Sequence, residues 1–114
     1  LDHVVMPERQ SFVDDQEYLS TLAHEFAHST GHKDRLNRTW LNNYSTYRGL
    51  EECCAEFTSV LVAKRLQITC NTKNHAAYIS SWAKSVKNAK NPSQALMKVF
   101  SNSVKAANLI IGES

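Results

Sequence analysis

No apolar run in these 114 residues approaches the eighteen or so that a membrane span requires, so a bilayer-crossing role is excluded and a soluble chain is expected. No repeat, low-complexity tract or flexible linker divides it. With 42% apolar residues there is material for one core but not for a second catalytic or binding unit, so residues 1–114 are read as a single domain. The start, LDHVVMPERQ, has neither an initiator Met nor a signal-peptide pattern, and the domain is expected to be the C-terminal part of a longer protein. The three cysteines show no CxxC spacing. Cys53 and Cys54 are neighbours that do not readily bridge and Cys70 stands alone, which points to a reducing, cytoplasmic setting with the adjacent pair as small buried hydrophobes.

Charge is unevenly spread. Residues 1–56 hold five Lys/Arg against ten Asp/Glu, whereas residues 57–114 hold eight against one. Carboxylates in the first half suit a metal site. The basic second half suits solvated helix faces first and DNA or an acidic partner second, with Lys84, Lys87 and Lys90 as one stripe at helical spacing.

Periodicity predicts a mainly α domain, α+β at most. His3–Met6 is the one plausible strand, a short edge strand or arm closed by Pro7. Asp14 or Asp15 caps a first helix with Tyr18, Leu19, Leu22, Ala23, Phe26 and Ala27 at helical spacing, ending near Gly31. Residues 32–49 are polar and aperiodic and suit an irregular connection. A second helix is predicted over Leu50–Leu66 and a third over Asn74–Asn88; Asn91-Pro92 starts a fourth that runs to Gly112. Trp40 and Trp82 are read as packing residues.

The segment His24-Glu25-Phe26-Ala27-His28 falls inside the first predicted helix. Residues four apart stack on one face, so His24 and His28 converge on a point where one zinc ion can sit. Glu25 lies about 100° round the helix, placed to take a proton from a water there without itself being a ligand. A chance HExxH in a chain of this composition has odds of roughly one in a hundred, which favours a metal site over two coincidental histidines.

A catalytic site of this kind has three protein ligands and an open fourth position, so one ligand must come from elsewhere. HEFAHSTGHKD can be laid on the metzincin form HExxHxxGxxH with Asp34 in the last place, although Met97 sits in a helical segment and not in a Met turn. The cluster Glu51, Glu52 and Glu56 resembles the gluzincin pattern of a downstream glutamate on a neighbouring helix. That match implies Glu52 as ligand and Glu56 as a carboxylate accepting the other N–H of a ligating histidine. Glu52 ranks ahead of Glu56, and Asp34 third. His75 and Tyr78, with Tyr47 and His32 behind them, are the groups available to stabilise a tetrahedral oxyanion.

The runs YLSTLAHEFAHSTGHKDRLNR, LEECCAEFTSVLVAKRLQI and NHAAYISSWAKSVKN resemble the zincin-like metallopeptidase domain of ArdC-type antirestriction proteins and of phage and plasmid polyvalent proteins. The likeness runs from about Met6 to Ile110, with Cys53 and Cys54 standing where Leu and Val are usual. It implies a zincin-like helical domain and a peptidase hydrolysing a protein or peptide substrate with one zinc ion. It also implies a parent protein carrying an N-terminal single-stranded-DNA-binding domain and protecting incoming plasmid or phage DNA from restriction. The alternative is a non-catalytic, metal-stabilised module that masks DNA or an enzyme.

Overall fold

The computed structural model describes residues 4–68, 77, 80, 83–84 and 86–112. The Asp14 carboxylate accepts the Glu17 backbone N–H at 2.7 Å and so starts helix α1, Asp15–Ser29, with Asp15 and Glu17 complementing the positive end of its dipole. Two later helices lie wholly among the described residues, α2 over Tyr44–Arg65 and α3 over Pro92–Ile111, with short 3-10 turns at Arg9–Ser11 and Thr39–Asn43. At α3 the sequence expectation holds at both ends. Asn91 accepts from Gln94 N–H at 3.1 Å, Pro92 opens the first turn, and Gly112 closes the helix at φ 88°, a left-handed conformation that costs glycine nothing.

Two expectations need correction. The second helix begins at Tyr44 and not at Leu50, because residues 44–48 are exposed: a turn with no core beneath it carries no hydrophobic period. The expected edge strand is not seen among the described residues. Val4–Met6 are without helix or strand, no strand exists among the described residues to pair with them, and His3 lies outside those residues. Of the helix predicted over 74–88, residues 77, 80, 83–84 and 86–87 are described and helical.

Helix α2 lies against both others. Ala23 of α1, Val62 of α2 and Ala107 of α3 meet in one buried cluster, while Cys53, Cys54 and Val99 form a second, flanked by Trp40, Leu50 and Phe57. Small residues make this contact close: the Ser103 hydroxyl of α3, which donates to the Val99 carbonyl at 2.7 Å, lies 3.3 Å from the Cys54 carbonyl of α2, and Ala106 and Ala107 are fully buried. The tightness comes with a narrow seam, so Leu96, Phe100 and Val104, which continue the apolar pattern of α3, stay about 41–43% exposed. Leu19 and Phe26 do the same on α1. Among the described residues no helix is long and apolar enough to cross a membrane.

Candidate metal centre

His24 and His28, one turn apart on α1, face Glu52 on α2. Their Nε2 atoms are 3.1 Å apart, and Glu52 Oε2 stands 3.3 Å from the first and 3.5 Å from the second. Those three atoms could hold one ion. A tetrahedral zinc with bonds of about 2.0–2.1 Å separates its ligand atoms by roughly 3.3–3.4 Å, so the triangle already has the dimensions the ion needs. Tyr44 donates its hydroxyl hydrogen to the other Glu52 oxygen at 3.1 Å, leaving Oε2 turned to the imidazoles.

Each ring has a further carboxylate behind it. His28 Nδ1 lies 2.6 Å from Glu51 Oε2, and His24 Nδ1 lies 2.7 Å from Glu56 Oε1. The second contact is one of proximity and not an aligned hydrogen bond, since His24 Nδ1 has no hydrogen-bond partner. Burial disfavours a charged imidazole, but the nearby Glu52 and Glu56 carboxylates outweigh it at His24, as Glu51 and Glu52 do at His28. Each ring is thereby raised to about 9. Hydrogen bonds from the two rings hold Glu52 well below the usual carboxylate range.

Protons therefore compete with a cation for this pair at neutral pH. Because both folded values are raised, competition is strongest at low pH and fades as pH climbs through about 9. Apparent zinc affinity is expected to rise roughly tenfold per pH unit for each proton displaced, between about pH 6 and 8. Calorimetry in buffers of differing ionisation enthalpy should register the released protons, and uptake without release would contradict the arrangement.

Beneath His28 lies a buried polar cluster. Glu51 is 1% exposed and accepts from Arg38 Nε at 2.8 Å, Arg38 Nη2 at 3.0 Å and Trp40 Nε1 at 2.9 Å. Burial alone would raise this carboxyl, yet His28, Arg38 and Trp40 together lower it. Arg38 also donates to Thr30 Oγ1 and to the Ala27 carbonyl, capping the C-terminal end of α1. Gly31 makes room for this guanidinium: a Cβ there would stand 2.8 Å from Arg38 Nη2 and 2.6 Å from Leu41 Cδ1. Gly31→Ala is expected to cost about 1–3 kcal/mol through overpacking, read as a lowered urea midpoint at unchanged slope.

The structure brings together His24, His28, Glu52 and Glu56 of the residues predicted for the site. Glu25 adjoins them on α1, half-buried and outside the ligand triangle. Asp34 does not join: it is exposed, with its carboxylate 3.6 Å from His32 Nδ1 and away from the ligand triangle. Tyr47 is 41% exposed at the start of α2, and His75 and Tyr78 lie outside the described residues. Cys53 and Cys54 are buried free thiols, Cys53 pushed by burial up to about 11 and Cys54 raised for the same reason, in keeping with packing and not ligation. Cys70 and Trp82 lie outside the described residues. Lys84, Lys87 and Lys90 are exposed.

Sequence reasoning assigned no role to Glu51 or Arg38 and treated Trp40 as packing. The available signal was the pair of flanking elements, RLNR after the histidines and the first Glu of EECCAE, whose chemistry shows only when the two are folded together.

The family described as zincin-like metallopeptidase matches residues 1–97. Among curated proteins, two named DNA primase TraC, from Escherichia coli, are 37% and 34% identical to this chain over 75% of its length, and the matched parts make up 6% and 8% of those proteins. A protein of Sinorhizobium fredii (strain NBRC 101917 / NGR234), named uncharacterized protein y4eC, is 35% identical over 75% of this chain and 29% of its own length. The chain thus spans under a third of each of these relatives. No solved structure matches it.

Proposed function

Since the chain belongs to the zincin-like metallopeptidase family, we propose that it is a zinc-dependent peptidase domain in which His24, His28 and Glu52 hold one ion and Glu25 is the general base. The observation that carries this reading is a triangle at zinc-ligand spacing, made of two Nε2 atoms from α1, the helix that also bears Glu25, and one carboxylate oxygen from α2. When bound, zinc supplies the Lewis acidity that makes a water acidic near neutral pH. Glu25 would be the residue that accepts the proton of the attacking water, and its carboxyl would return that proton to the amine nitrogen released when the peptide C–N bond breaks. Tyr44 holds one Glu52 oxygen, so Glu52 would offer the ion its other oxygen.

The parent protein is proposed to act beside DNA, in antirestriction, with a host defence protein as substrate. Support comes from two relatives named as DNA primases and from the exposed basic residues Lys84, Lys87 and Lys90. Incubating the zinc-loaded domain with a peptide library, with and without chelator, tests the activity. Cleavage abolished by chelation and restored by zinc is the expected result; a chelator-insensitive cleavage pattern would reject the assignment.

A further inference from the structure

Two sequence elements carry more fixed polar chemistry than three ligands and a base require. Residues 30–38 fold back over the end of α1: Leu36 N–H bonds Thr30 carbonyl, Asn37 N–H bonds His32 carbonyl, and Arg38 N–H bonds Gly31 carbonyl, at 2.9–3.1 Å. Asn37 adopts φ 49°, a left-handed conformation that asparagine tolerates better than most residues, and this turn aims Arg38 back beneath the helix. The Arg38 side chain is 0% exposed and that of Glu51 1%. Glu51 accepts both prongs of the guanidinium fork and the Trp40 N–H, and its Oε2 also faces His28 Nδ1. An ionised carboxylate has no hydrogen to give, so the His28 contact requires the hydrogen on Nδ1 and makes Nε2, which faces Glu52 and His24, the nitrogen that would give up its proton to offer a lone pair to a cation.

We propose that Arg38 is a positioning residue of the metal centre, acting through Glu51 to fix the orientation and Nδ1–H tautomer of His28. The inference rests on the metal-centre reading above. Stability alone does not account for the pair. A buried ion pair pays a desolvation penalty, and apolar residues of similar volume commonly replace one without loss. What an apolar pair would not supply is the acceptor behind His28. His24 has no such clamp, because Glu56 approaches its Nδ1 without an aligned bond.

The test is the double variant Arg38→Met with Glu51→Leu, which removes both charges together. Zinc affinity is measured by competition with a chromophoric chelator, beside the thermal midpoint of the metal-free domain. A folded variant whose affinity falls roughly ten- to a hundredfold, with an altered d–d spectrum when cobalt(II) is loaded, supports positioning. A folded variant with wild-type affinity and spectrum overturns it. A second measurement needs no variant: long-range proton–nitrogen NMR of the zinc-loaded wild type should find the His28 hydrogen on Nδ1. Coordination through Nδ1, or a hydrogen on Nε2, would overturn the proposal even if the double variant does not fold. Failure of the wild type to take up zinc would instead overturn the underlying metal-centre reading, and this proposal with it.

Discussion

Glu25→Gln is expected to leave zinc uptake and melting temperature unchanged while lowering peptide hydrolysis by roughly 10²–10⁴-fold. The side chain is half-buried and stands outside the ligand triangle, so an amide of the same shape disturbs neither packing nor ion binding. What the amide loses is the carboxylate's capacity to accept a proton. Steady-state kinetics on a cleaved library peptide, with metal content determined on the same preparation, checks both halves. Hydrolysis at the wild-type rate would reject Glu25 as the base. Antirestriction that survived Glu25→Gln but vanished when Lys84, Lys87 and Lys90 were neutralised would favour a metal-tied binding module over an enzyme.

The largest effect on stability is expected from Arg38→Met alone. Glu51 would then be a carboxylate 1% exposed, stripped of both guanidinium bonds and left with His28 and Trp40. Removing one partner of a buried pair costs about 3–5 kcal/mol, out of the roughly 5–15 kcal/mol that holds a domain of this size together. The loss also frees Thr30 Oγ1 and the Ala27 carbonyl, which Arg38 caps at 2.8 and 2.7 Å. Urea denaturation of the metal-free domain should show it as a large drop in midpoint. Adding Glu51→Leu should recover most of it, because the stranded charge and not the lost bonds dominates. A single variant as stable as the wild type would mean that water reaches Glu51 after all.

The comparison of Asn91 with Tyr44 shows where sequence was sufficient. Asn91-Pro92 and Gly112 are local signals, each acting within a few residues of itself, and both ends of α3 lie where those signals put them. The start of α2 has no such marker, since its first residues face solvent and neither cap nor period betrays them. The same division runs through the site. His24 and His28 are legible because one helical turn brings them together, whereas Glu52 and Glu56 are singled out only by resemblance to a gluzincin pattern, which leaves Asp34 as a rival until the fold places it elsewhere. Glu51, next to Glu52 in sequence, points instead into the core, and only the packing of α2 on the 30–38 loop gives it Arg38 as partner. No spacing rule links residues 38 and 51, so a buried charge of this kind reads in sequence as one more surface glutamate.

Everything in this account requires His24, His28 and Glu52 to share one ion. A crystal of the protein loaded with one equivalent of zinc, with anomalous data collected on either side of the zinc edge, addresses that directly. A single anomalous peak is expected, bonded to Nε2 of both histidines and to Oε2 of Glu52, with Glu51 and Glu56 behind the rings. A peak on other side chains, or none between the two imidazoles, would contradict it.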